Sequence, residues 1–202
     1  MAPALLTRRE AAEIGRVPLG AIDKAIEQGV LRPKRAAGKP LFPSHEVGLL
    51  VLLRQVEVQL PLRAKRRLRA WLAERGAEAV GSEFELSTAL RVAMTEDVAE
   101  AIGRADEYVR LRDRYVERNP AIMGGEPVIR GTRVPVRTVA GLIERGESRE
   151  VMREDYPQVP EEAYTVAVLW THANPRRGRP ARPWDESRLS AASRKRRTAA
   201  AR

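Results

Sequence analysis

The chain holds two histidines and no cysteine. His45 lies in Ser44-His45-Glu46 at a predicted helix start, and His172 falls near a predicted helix end, where it can cap carbonyls. Neither belongs to a Ser-His-Asp set or to a His/Asp metal spacing. Without thiols, disulfides and zinc–thiolate sites are excluded, a composition that suits a reducing cytoplasm. Gly124-Gly125 lacks the Gly-Lys-Ser/Thr ending of a nucleotide loop and the strand–Gly-x-Gly-x-x-Gly–helix setting. The sequence therefore predicts no enzyme, no metal and no cofactor. What remains is cationic chemistry: guanidinium and ammonium groups that recognise phosphates or carboxylates.

Those cations fall in two places. Residues 176–202 carry ten Lys/Arg against two acids, which accounts for +8 of the formal +10 and leaves 27 bases and 25 acids elsewhere. High overall basicity is thus mostly a property of the tail. The second group is spread along the N-terminal segment: Arg8, Arg9, Arg16, Lys24, Arg32, Lys34, Arg35 and Lys39. No stretch approaches twenty apolar residues, so no membrane partner is expected. The first ten residues meet charge at once and lack the apolar core of a signal segment. A cytoplasmic location follows as an expectation.

The elements that must position the N-terminal cations are legible. Thr7-Arg-Arg-Glu10 has the form of a capping box, with Ala11, Ala12 and Ile14 behind it at helical spacing. Gly15-Arg16-Val17 interrupts that helix, and Pro18 opens a second one carrying Leu19, Ile22 and Ile26, closed by Gly29. Two extended pieces, residues 29–33 and 39–43, flank Ala36-Ala37-Gly38 and read as a wing. Ser44 is predicted to cap a third helix through Val47, Leu50, Val51 and Val56. Helix, turn, helix, wing and helix resemble the winged-helix heads of MerR-type regulators. In that arrangement Arg16, Lys24 and the wing cations stand on neighbouring elements beside DNA phosphates. Base readers are scarce, since the second helix has no Arg or Asn pair facing one way.

In the middle segment, Pro61 precedes a helix with Leu68, Trp71 and Leu72 on one stripe. Its basic run over residues 63–69 reads as a solvated face beside a half-buried Trp71, or as an extra phosphate-tracking surface. Phe84, Leu86, Leu90, Val92 and Met94 alternate as in strands, although Leu86, Leu90 and Met94 also satisfy a helix. Thr95-Glu-Asp starts a long helix with Val98, Ile102, Ala105, Tyr108, Leu111 and Tyr115 at a period of 3.6; it is expected to connect two domains.

Residues 118–136 concentrate Gly and Pro among β-branched residues. Val128-Ile129 and Arg133-Val134 predict a small hairpin whose turn uses Gly131 at positive φ, with Pro127 and Pro135 at its ends. Three short helices are predicted to follow, from Val136, Ser148 and Pro160, ending at Arg145, Asp155 and Ala173. The last is apolar and acidic, a surface expected to pack against a second copy. Asn119-Pro120, Gly124-Gly125-Glu126-Pro127-Val128-Ile129 and Gly131-Thr132-Arg133-Val134-Pro135-Val136 resemble the opening signature of a prokaryotic family of small helical domains. That family, long catalogued as a domain of unknown function, is associated with VapB-type antitoxins encoded beside PIN-like ribonuclease toxins.

The tail after Arg176 has too little apolar surface to form a core. Trp184 and Leu189 are more than a purely electrostatic tail needs, and suit a segment that folds on a partner. The resemblance implies which partner: a PIN-like ribonuclease toxin, whose metal-binding carboxylates would pair with Arg176, Arg177, Arg179, Arg182 or Arg188, anchored by Trp184 and Leu189.

The expectation is a mainly α protein with small β-hairpins. Residues 1–58 form a winged helix-turn-helix head that binds operator DNA, and residues 59–95 connect. Residues 96–175 form a tri-helical domain that dimerises or joins a larger complex with toxin, and residues 176–202 bind the toxin. The alternative is a stand-alone MerR-like transcriptional regulator with no toxin.

Overall fold

Thr7 closes the first helix as its sequence requires. Its side chain accepts from the Glu10 amide at 3.3 Å, while Glu10 Oε2 accepts from the Thr7 amide at 2.7 Å. Around this start the computed structural model describes residues 5–36, 38–56 and 58–176. It is mainly helical, with three small antiparallel sheets.

The chain begins with β1 (Leu5–Thr7), α1 (Arg8–Gly15) and α2 (Leu19–Glu27), the two helices joined through Arg16 in a left-handed conformation (φ 50°). The wing consists of β2 (Lys34–Ala36) and β3 (Lys39–Pro43). Sequence alternation did not reveal β1, a three-residue strand that pairs Leu6 with Phe42 and completes a sheet of order β1-β3-β2. Next come α3 (Ser44–Gln55) and α4 (Leu62–Arg75). Ser44 is the first residue of α3 rather than its cap; Pro43 holds that position, with no side-chain hydrogen bond.

The alternating segment is a hairpin, β4 (Glu83–Ser87) with β5 (Leu90–Ala93), whose Phe84 stacks on the half-buried Trp71 at 5.5 Å. The twenty-residue α5 (Glu96–Tyr115) leads into β6 (Val116–Glu117). The signature hairpin forms in reduced shape. β7 (Val128–Ile129) makes its ladder with β6, while the return strand contributes one bridge, Val128 to Pro135, and the Ile129 amide bond to Val134 O at 2.9 Å. Gly131 turns the chain at φ 77°, a conformation that disfavours side chains with a Cβ.

α6 (Val136–Glu144), α7 (Arg149–Asp155) and α8 (Glu162–Ala173) follow. Ser148 caps α7, its hydroxyl accepting from the Val151 amide at 3.3 Å. The apolar side of α8, expected to seek a second copy, is covered within the chain. Ala163, Val166, Ala167 and Trp170 are buried where α8 meets α6, α5 and α1.

One apolar cluster runs from Leu6 through Ile22, Leu49, Leu68, Ile102 and Met152 to Trp170. The N-terminal head and the C-terminal helices therefore share a core, with α5 as the common wall. α3 crosses α5 so closely at Gly48 that a Cβ there would stand 2.5 Å from Ile102 Cγ1. Glu10 is the polar node of this core, accepting from Tyr108 Oη at 2.7 Å and from Arg112 Nη1 at 3.0 Å. Arg112 Nη2 also donates to Leu5 O, which ties β1 to α5.

Candidate nucleic-acid interface

In the head, the turn after α1 leads into α2, and the β2–β3 pairing places Lys34 opposite Leu41 and Arg35 opposite Pro40. Arg32, Lys34, Arg35 and Lys39 are all exposed. Among the described residues, no ion pair ties them, Arg9, Arg16 or Lys24 to a carboxylate. Arg8 differs. Its guanidinium lies 2.6 Å from Asp23 and links α1 to α2, so part of its charge is already compensated.

The eight cations do not form one patch. Arg9 and Arg16 border a depression of about 380 Å³ together with His172, Ala173 and Pro175 at the end of α8. Lys24 stands on another, of about 450 Å³, between α2, α3 and α4, where Arg54 and Lys65 join it. The four wing cations form the third group. Arg54 was not singled out from sequence, because a single cation at the end of an apolar helix carries no pattern. Arg54 Nη1 donates to Arg16 O at 2.8 Å, fastening the inter-helix turn onto α3.

The basic run of α4 resolves into structural contacts more than into a free cationic face. Arg66 donates to Gly29 O at 3.1 Å and to Gln28 O at 3.2 Å, closing the carboxyl end of α2, where a positive charge is favoured. Arg67 donates to the carbonyls of Glu85 and Leu86 and lies over the Phe84 ring, 5.2 Å from its centre. Arg69 lies 3.4 Å from Glu46, which is almost fully buried. Burial raises the Glu46 carboxyl above the usual carboxylate range, against the lowering pull of the Arg32 amide and Arg69. Arg63 and Lys65 are the members of the run without such contacts.

His45 is held below its usual range by burial and by the nearby Arg69 and Lys34 cations, against a raising pull from Asp106. His172 stands between two carboxylates, with Nδ1 at 3.1 Å from Glu13 of α1 and Nε2 at 2.6 Å from Glu144 of α6. Its pKa is raised, first by the Glu144 hydrogen bond and then by Glu13, against partial burial. This is a clasp between three helices. Among the described residues, no group of three or more His, Asp and Glu side chains is placed to hold a metal ion. No helix among them is long and apolar enough to cross a membrane.

Of the tail residues expected to engage a toxin, Arg176 is exposed just beyond α8. Arg177, Arg179, Arg182, Trp184, Arg188 and Leu189 lie outside the described residues.

The uncharacterized protein y4eO of Sinorhizobium fredii is 43% identical over 76 residues, which is 38% of this chain and 34% of that protein. The match thus spans about a third of the relative's length. The crystal structure of Rv2018 from Mycobacterium tuberculosis aligns over 83% of this chain and 98% of its own, with 17% identity and a TM-score of 0.38. Residues 116–168, which hold β6, β7, α6, α7 and the first half of α8, match the family described as a protein of unknown function (DUF433).

Proposed function

We propose that the chain is the antitoxin of a type II toxin–antitoxin pair. The head binds operator DNA and represses its own operon, and the carboxyl tail inhibits a PIN-like ribonuclease. It works in the cytoplasm by binding and without catalysis, as a homodimer or a larger complex with toxin.

One observation carries the DNA half. A hairpin wing presents Arg32, Lys34, Arg35 and Lys39 to solvent beside a helix-turn-helix, with no carboxylate compensating them among the described residues. Such groups gain most by replacing counterions along a phosphate backbone. The scarcity of base-reading side chains on α2 makes phosphate positioning the larger share of that affinity. The toxin half is supported by the signature over residues 119–136, which resembles VapB-type antitoxins, and by the composition of the tail. Arginine forks can occupy carboxylates that would otherwise hold the toxin's metal.

The test is co-expression with the adjacent reading frame, followed by deletion of residues 177–202. The truncated chain is expected to lose toxin neutralisation and to keep sequence-specific operator binding. If no ribonuclease co-purifies and the full chain still selects an operator, the protein is a stand-alone regulator and the antitoxin reading fails. If truncation abolishes all DNA binding, the head is not the DNA-binding element.

A further inference from the structure

The depression between α2, the end of α3 and the start of α4 has a floor made by Val17, Leu50, Leu53, Val56 and Leu60. Lys24, Arg54 and Lys65 stand on its walls, and no carboxylate lines it among the described residues. Val58, at 57% exposure, lines it too, and Leu62, at 40%, lies two residues beyond Leu60. An apolar floor ringed by cations suits an occupant that brings aliphatic and acidic groups together. A nucleic-acid backbone would satisfy the cations and leave the floor in contact with charge.

A segment of that kind occurs elsewhere in the same chain. In α7, Met152 turns inward, and Arg149 and Arg153 both fold onto Glu161 at 3.0 Å. With its arginines compensated there, the helix leaves Glu150, Val151 and Glu154 as an adjoining outward strip, by the i, i+3 and i+4 neighbourhood of helical side chains. Val151 is 41% exposed, and Glu147 and Asp155 at the helix ends are exposed acids. The strip sets two acids beside one aliphatic side chain, and the groove sets cations beside an apolar floor.

We propose that a second copy of this chain seats α7 in this groove, with Val151 against Val58 and the apolar floor, and Glu150 and Glu154 facing Lys24 and Lys65. The two patches differ: made twice about a two-fold axis the contact closes an isologous pair, and made once it is heterologous and propagates. This contact is independent of the antitoxin reading.

The native chain has no cysteine, so paired substitutions report the contact without background. Val58→Cys and Val151→Cys chains, mixed in equal amounts under mild oxidation, are expected to form a mixed disulfide. Each alone is expected to stay reduced. In sedimentation at low salt, Lys24→Glu with Lys65→Glu should weaken self-association about tenfold, as should Glu150→Lys with Glu154→Lys. Mixing the two charge-reversed chains should restore it. Circular dichroism checks that every variant is folded. The proposal is overturned if the full chain stays monomeric at every concentration reached, which would leave the groove to a different protein. It is also overturned if association needs added duplex DNA, if Val58→Cys links only to itself, or if the reversed chains fail to rescue one another.

Discussion

Tyr108 on α5 donates its hydroxyl to Glu10 on α1 at 2.7 Å, in a setting where Tyr108 and Glu10 are each 2% exposed. The bond joins the N-terminal head to the helix that walls the C-terminal core. Burial and the adjacent Glu10 carboxylate raise the Tyr108 hydroxyl above its ordinary range, so the proton stays on the tyrosine. Replacing Tyr108 by Phe removes one of the donors to Glu10 and leaves its Thr7 and Arg112 bonds. The expected loss is about 1–3 kcal/mol of unfolding free energy, read by urea denaturation. An unchanged midpoint would mean that water replaces the hydroxyl.

The crossing of α3 and α5 is set by Gly48. Adding a side chain there drives it into the buried Ile102. Gly48→Val is expected to cost roughly 1–3 kcal/mol by overpacking. Gly48→Val combined with Ile102→Ala should recover part of that loss. Thermal unfolding of the single and double variants checks both statements.

The His172 clasp gives stability a pH dependence of defined sign. Its folded-state pKa is raised, so the stabilisation is fully present below the unfolded value near 6.5 and is lost as pH rises through the folded value. The partners are Glu13 and Glu144, and Arg9 of α1 and Arg16 in the turn after it border the same depression. Because His172 is about half exposed, the effect is small. The melting-temperature gap between the native chain and His172→Gln should be largest at pH 5.5 and close by pH 8.5. A gap that widens with pH would contradict the clasp.

Arg66, bonded to two carbonyls, and the exposed Arg35 are expected to separate a structural arginine from one that serves the proposed phosphate contact. Arg66→Ala frees the two carbonyls at the end of α2 and should lower stability by about 1 kcal/mol, roughly 2–4 °C in melting temperature. Arg35→Ala should leave melting unchanged and reduce the slope of log affinity against log salt by about one for an operator duplex. The reverse assignment would move the phosphate surface from the wing to α4.

Local patterns were enough for the helices and turns, apart from helix ends such as that of α3, where Pro43 and not Ser44 holds the cap position. The Thr7–Glu10 capping box, the long period-3.6 run of α5, the Ser148 cap and the left-handed Gly131 each depend on residues a few positions apart, and each forms as expected. Alternation from Phe84 to Met94 likewise resolves in favour of strands, because Phe84 stacks on Trp71. The wing cations were legible for the same reason: exposure of a short hairpin follows from composition.

Pairings distant in sequence were decided only by the tertiary structure. Glu10 meets Tyr108 across 98 positions, and His172 meets Glu13 across 159. No periodicity encodes either distance. The basic run of α4 illustrates the difference most sharply. Its charge was evident from the residues, yet only packing decided that Arg66, Arg67 and Arg69 spend it on carbonyls and a buried carboxylate. Sequence thus determined which side chains could bind an anion. The fold determined which remain available, because a cation already satisfied inside the protein has little left to offer a partner.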